Sequence, residues 1–193
     1  MTIPLILASA SPRRRELLAA AGIAFTPAAA DIDEAWRGGE TPEGHCARLA
    51  VEKALAVSAK NPGALVLGAD TIVVIDGEVL GKPRDRADGE CMLRKLSGRA
   101  HTVFTAVALA RGGALLEQFT AATTVHFHSL GETELAWYLA TGEPWDKAGA
   151  YAAQGKGAAL IARIEGDYFT VVGLPVAQTL RALQRQGIAV FNS

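Results

Sequence analysis

Two glycine turns do most to decide what this chain can fold into. Asp76-Gly77 and Gly112-Gly113 each interrupt a long apolar run. A two-residue step of that kind between β-rich segments signals a hairpin whose turn positions both take positive φ. Antiparallel pairs are therefore expected between the run 64–75 and Val79-Leu80, and between 101–111 and 114–128. Elsewhere strand and helix patterns alternate, as in parallel α/β units. A strand over 3–8 leads into a helix over 12–21, then a polar loop with Asp31, Asp33 and Glu34, then a helix over 42–60 that stops at Asn61-Pro62-Gly63. Further helices are expected over 86–96 and 131–141. The glycine-rich run 142–157 precedes strands over 158–164 and 168–173 and a last helix from near Pro175. The two signals together give an α/β fold with a mixed, partly antiparallel central sheet and flanking helices. No repeat, low-complexity tract or linker divides the sequence, so 1–193 reads as one domain.

Half of the 193 residues are apolar and the net charge is −1. A chain of this size and composition can bury a substantial core, and its charge balance argues against a stable nucleic-acid partner or an acidic membrane surface. No apolar stretch approaches the roughly 20 residues needed to span a bilayer, and the first residues lack the pattern of a signal peptide. The cytoplasm is the expected location. Cys46 and Cys91 have neither metal-ligand nor redox spacing and read as reduced, buried thiols.

Local chemistry concentrates at a few positions. Arg13, Arg14 and Arg15 follow Ser11, a good N-cap, and Pro12, which suits the first helical position. They fall where unpaired backbone N–H groups already carry partial positive charge, at a cost of about 0.3–1 kcal/mol each. Either an anion such as phosphate docks at this strand-to-helix turn, or the three are solvated charges partly offset by Glu16. Asp70 lies inside the apolar run Leu65 to Val74, where a lone carboxylate is costly unless a metal ion, a lysine or backbone donors at a bulge beside Gly68 satisfy it. Lys53 sits among Ala50, Val51, Ala54 and Leu55, and taken alone reads as a snorkelling side chain. Lys82, between Gly81 and Pro83, sits on a rigid turn that can present a point charge to phosphate. Other patterns fail. Gly77 to Lys82 has the wrong spacing for a P-loop, Gly155-Lys156-Gly157 lacks the third glycine of a dinucleotide fingerprint, and His126 with His128 lacks a third metal ligand.

Taken jointly, several segments resemble the Maf family of nucleotide pyrophosphatases. They are Ser9-Ala10-Ser11-Pro12-Arg13-Arg14 with Glu16-Leu17-Leu18, Gly68-Ala69-Asp70-Thr71, Gly81-Lys82-Pro83, Gly142-Glu143-Pro144, and Asp146-Lys147-Ala148-Gly149-Ala150-Tyr151 through Gln154-Gly155. Gly166-Asp167-Tyr168 and Val171-Val172-Gly173-Leu174-Pro175 continue the series in the family's order. The resemblance implies two lobes around a nucleotide-binding cleft, a divalent metal cation (magnesium or manganese), a possible homodimer, and hydrolysis of a nucleoside triphosphate to monophosphate and pyrophosphate. It places the catalytic set on Ser9, Arg13, Glu34, Lys53, Asp70 and Lys82, with Glu34 and Asp70 as metal ligands and Asp70 as general base. Arg14 joins Arg13 as a substrate-binding candidate. Arg13, Thr71 and Gln154 resemble the branch that accepts dTTP and UTP rather than 7-methylguanosine triphosphate. A neutral glutamine amide can answer the acceptor and N–H donor on the edge of uracil or thymine, whereas a cationic methylated guanine favours a carboxylate. Three alternatives accompany this reading: a nucleotide-binding regulator of cell division and septum formation, a pyrophosphatase of 7-methylguanosine triphosphate, and a pyrophosphatase for deaminated purines.

Overall fold

The computed structural model describes residues 3–191. In chain order its elements are β1 (Leu5–Ala8), α1 (Pro12–Ala20), β2 (Thr26–Pro27), α2 (Pro42–Lys60), β3 (Leu65–Ile75), β4 (Glu78–Leu80), α3 (Arg86–Leu96), β5 (Ala100–Arg111), β6 (Ala114–Phe127), α4 (Glu132–Leu139), β7 (Ile161–Glu165), α5 (Tyr168–Val172) and α6 (Val176–Arg185). Three short 3-10 turns, Glu143–Asp146, Ala148–Ala150 and Gly155–Leu160, fill the glycine-rich run between α4 and β7. The strands form one seven-stranded sheet in the order β2-β1-β3-β5-β6-β7, with β4 also paired to β3. β1 runs parallel to β2 and β3, whereas β4 is antiparallel to β3 and β7 to β6, so the sheet is mixed as the turns require. Asp76 and Gly77 take φ of 53° and 77°, and Gly112 and Gly113 take 55° and 80°, the positive values that a two-residue hairpin demands.

The chain divides into two compact units, and three strands run from one into the other. The first comprises Met1–Asp70, Thr105–Ala121 and Gly173–Ser193; the second comprises Thr71–Phe104 and Ala122–Val172. In the first, β1 is buried along its whole length and packs with Leu17 and Leu18 of α1, Leu49, Ala50 and Ala54 of α2 and the start of β3 into the core. Gly68 permits this, because a Cβ there would lie 2.4 Å from the Ala50 carbonyl oxygen and 2.6 Å from the Ala54 nitrogen. Gly68 pairs in regular parallel register with Ala8, so its role is close helix–strand approach rather than a bulge. In the second unit, Val73, Leu80, Leu93, Leu96, Val103, Phe127, Leu135, Tyr138 and Tyr151 belong to one apolar cluster.

Three expectations need correction. Residues 168–173 do not form a strand despite their aromatic and β-branched composition. The Asp167 carboxylate accepts from the Phe169 N–H at 3.1 Å and from the Thr170 hydroxyl at 3.0 Å, and this local cap turns the segment into α5. The strand expected from 158 starts only at Ile161, because residues up to Leu160 form a 3-10 turn. Cys91 is exposed although Cys46 is buried. The stripe that α3 buries is Gly89, Leu93 and Leu96, and Cys91 falls off that helical phase.

Candidate active site

At the end of β1 the chain turns into α1 through Ser9 and Ser11. Ser11 caps α1, and the helix has no acidic residue in its first turn to offset its three arginines. Those arginines have different environments. Arg14 is only 8% exposed. Its Nε donates to the Gly173 carbonyl at 2.8 Å and its Nη1 to Ser9 Oγ at 3.1 Å. Burial lowers its pKa from the ordinary guanidinium value, and the negative charge of Asp70 opposes that shift. Arg14 therefore holds the first unit together from within. Ser9 Oγ also accepts the Ser11 N–H at 3.2 Å, so this hydroxyl ties the turn to the buried guanidinium. Arg13 is half-buried and Arg15 exposed.

Asp70 ends the part of β3 that lies in the first unit, and Lys53 reaches it from α2. Lys53 Nζ stands 2.7 Å from Asp70 Oδ1 and 2.7 Å from Glu34 Oε1. Lysine is thus the partner that solves the cost of the buried carboxylate, and Lys53 is no snorkelling residue: its side chain is 12% exposed. Glu34 approaches from solvent with its side chain 59% exposed. Beside them the Cys46 thiol donates to the Asp70 carbonyl at 3.4 Å; burial foremost, then the charge of Asp70, pushes its pKa up to about 12. That thiol is a packing group and not a nucleophile.

The loop that carries Glu34 is clasped to α2 by Arg48. Its guanidinium pairs with Glu40, meets Glu52 at 3.0 Å, and donates to the carbonyl of Ala35 at 3.0 Å, the residue after Glu34. The Arg48 hydrogen bond is the main cause that lowers the Glu40 carboxyl to about 2. His45 binds the same carboxylate at 2.9 Å and stacks on Trp36 with ring centroids 4.6 Å apart. Sequence reasoning passed over this network, although Arg48 and Glu52 stand one helical turn apart, the spacing of a helix-surface ion pair.

In the second unit Lys82 is exposed between Gly81 and the buried Pro83, and the Gly81 carbonyl accepts the Gly149 N–H at 3.0 Å. Thr71 is half-buried. Gln154 is exposed in extended backbone, φ −98° and ψ 155°, directly after three buried residues. Of the residues expected at the site, Ser9 and Arg14 are thus in contact, as are Glu34, Lys53 and Asp70, while Thr71, Lys82 and Gln154 lie in the second unit.

The family model for Maf-like proteins matches residues 4–186. The chain belongs to the Maf family. This Maf chain is 54% identical over 190 residues to the dTTP/UTP pyrophosphatase of Symbiobacterium thermophilum, covering 97% of the chain and 96% of the relative. It is 53% identical over 184 residues to the dTTP/UTP pyrophosphatase of Myxococcus xanthus (95% and 93% covered), and 50% identical over 188 residues to that of Bacillus velezensis (97% and 99%). Among solved structures, the HAM1 protein from Coxiella burnetii matches with a TM-score of 0.55 at 18% identity, covering 95% of this chain and 100% of that one. The Staphylococcus aureus Ham1 protein gives 0.54 at 15% identity, covering 95% and 98%. These likenesses show the fold alone.

In this Maf chain no three His, Cys, Asp or Glu side chains gather as metal ligands among the described residues. Two carboxylates, Asp70 and Glu34, do converge on one cation, the Lys53 ammonium. That donor set fits magnesium or manganese, which need only one or two carboxylates when substrate phosphates complete the shell.

Proposed function

We propose that the chain is a nucleoside triphosphate pyrophosphatase that hydrolyses dTTP and UTP to the monophosphate and pyrophosphate. The observation that carries this reading is the Asp70–Lys53–Glu34 cluster, at 2.7 Å on each side of the ammonium, in a chain half-identical to dTTP/UTP pyrophosphatases over nearly its full length. In the reaction, water oxygen bonds to the α-phosphorus, the bond from that phosphorus to the bridging oxygen breaks, and pyrophosphate leaves. Asp70 accepts the proton of the attacking water. Lys53 orients that carboxylate and, with Arg13 and Lys82, neutralises phosphate oxygens. Ser9 holds the β1–α1 turn at which the anion docks. A divalent cation held by Asp70 and Glu34 would add charge for the phosphates and acidify the water. Thr71 and Gln154 meet the pyrimidine edge. A pure nucleotide sensor for septum formation would have no need of a water-activating carboxylate. The same proposal includes a cytoplasmic location; among the described residues, no helix is long and apolar enough to cross a membrane.

The test is hydrolysis of a panel of nucleoside triphosphates with pyrophosphate and orthophosphate detected separately. The expected result is pyrophosphate release, with dTTP and UTP well ahead of 7-methylguanosine triphosphate and deaminated purine nucleotides. Orthophosphate as the primary product would place attack at the γ-phosphorus and overturn the reaction assigned here.

A further inference from the structure

The glycine-rich run before β7 has the composition of a mobile loop, since each glycine gives up more conformational freedom on folding than any other residue. It is nevertheless fastened at both ends of a short stretch. The Glu143 carboxylate accepts the backbone N–H of Lys156 through Oε1 at 2.9 Å and that of Gly157 through Oε2 at 3.1 Å. On the other side of Gln154, the Tyr138 hydroxyl accepts the Ala152 N–H at 3.0 Å. Glu143 is itself fixed, its N–H donating to Thr141 Oγ1 at 3.1 Å and its carbonyl accepting from Lys147 Nζ at 2.8 Å. The contact leaves no spare room. A Cβ on Gly155 would lie 2.6 Å from Glu143 Oε1, and one on Gly157 would lie 2.2 Å from the Ala152 carbonyl oxygen and 2.7 Å from the Tyr138 hydroxyl.

Two successive backbone N–H groups aimed at one point form a concavity that commonly takes phosphate. Here the chain's own carboxylate fills it, so the run is no phosphate loop, and its use must lie in what it displays. Tyr151, Ala152, Ala153 and Gly157 are buried, and the exposed side chains between them are those of Gln154 and Lys156. The three backbone bonds bracket Gln154 from both sides. We propose that Glu143, together with Tyr138, is a specificity-determining positioning residue that holds the backbone of Gln154 in one place, from which its amide meets the base. This rests on Gln154 as the base-reading residue.

The chemistry gives such a clamp a use. Uracil and thymine present an acceptor beside an N–H donor, and cytosine presents the mirror arrangement, a donor beside an acceptor. An amide carries both functions and would satisfy cytosine simply by turning over. Turning over needs only rotation about the side chain, but sliding the amide to a second register on the base needs the backbone to shift, and a fixed backbone closes that route. Loosening the clamp should cost selectivity before it costs turnover.

The test compares kcat/KM for UTP and CTP, which share a sugar and a triphosphate, in wild type, Glu143→Gln, Gln154→Ala and the double variant. Glu143→Gln sets an amide NH2 against at least one backbone N–H. It is expected to lower the UTP:CTP preference about 5- to 30-fold, through a raised KM for UTP with CTP kcat retained. Glu143→Asp, which keeps the charge, should restore part of the preference, and the losses in the double variant should not add. A merely structural Glu143 would lower both substrates together and leave the ratio unchanged; that result overturns the inference. If Glu143→Gln fails to fold, Tyr138→Phe removes one fastening while keeping the ring, and an unchanged ratio there overturns it equally. An unchanged ratio in Gln154→Ala overturns the base-reading role itself, whereas a changed ratio there with none in Glu143→Gln overturns only the clamp.

Discussion

Arg13 and Arg14 are neighbours with opposite expected behaviour. Arg14→Ala removes the donors to the Gly173 carbonyl and Ser9 Oγ inside the first unit. Leaving such groups unpaired costs about 1–3 kcal/mol, so the melting temperature of the empty protein should fall by several degrees. Arg13→Ala removes a charge unfavourable to the helix dipole, and its main effect should be to weaken the stabilisation that added nucleotide gives. Melting curves with and without dTTP check both; a marked loss in empty Arg13→Ala would mean that Arg13 is a structural partner. Asp70→Asn should keep the fold and lose turnover by at least on the order of 10²-fold, read as pyrophosphate release in metal-supplemented buffer beside a circular-dichroism spectrum. Sequence pointed to Asp70 because a carboxylate amid Leu65 to Val74 calls for a partner, but it could not say which partner. The fate of Arg14 was readable in principle. It stands three and four residues before Leu17 and Leu18, on the stripe that α1 buries.

At the scale of elements, the contact between α2 and β3 sets the distance from Lys53 to Asp70. Lys53 lies on α2 between Ala50 and Ala54, whose backbones crowd Gly68. Gly68→Ala should therefore push the helix outward and cost about 1–3 kcal/mol, the usual scale for overpacking. Turnover should fall as well, because the ammonium retreats from the carboxylate. A urea-unfolding midpoint and a turnover assay on the same sample check this, and loss of stability with full activity would separate the two. The expected bounds of α2 and α3 hold, and the structure shows what starts each helix: the Thr41 side chain accepts the Gly44 N–H and the Asp85 side chain accepts the Asp88 N–H. α5 escaped because Tyr168 to Val172 carry strand-type side chains, and a single capping Asp167 outweighs them. The loop of Glu34 was legible only as polar. The clasp that orders it depends on Arg48 facing Ala35 across 13 residues, which no local pattern announces.

For the whole molecule, acid should be destabilising well before carboxylates protonate. His101 is 3% exposed, with Nε2 2.7 Å from the Tyr151 hydroxyl, and burial lowers its pKa from 6.5 to about 4. Its neutral form is the one the fold accepts, so the stabilisation is complete above about 6.5 and is lost as pH falls from there toward 4. A separation of that size is worth on the order of 3 kcal/mol. The melting temperature should drop between pH 7.5 and 5, and His101→Phe should flatten that decline; an equal slope in both proteins would refute the assignment. The mixed sheet was legible from its two tight turns, but the division into units was not, because β3, β5 and β6 each pass from one to the other in mid-strand. That interleaving bears on the order of synthesis. Protein chains are made from the N-terminus, and by Val172 every residue of the second unit has been joined. The first unit, which holds Asp70, Lys53 and Glu34, still lacks the Gly173 carbonyl that receives Arg14. The part of the protein begun first is the part completed last, and a ribosome stalled near residue 172 would carry a nascent chain with Asp70 already made and the carbonyl that receives the Arg14 Nε not yet joined.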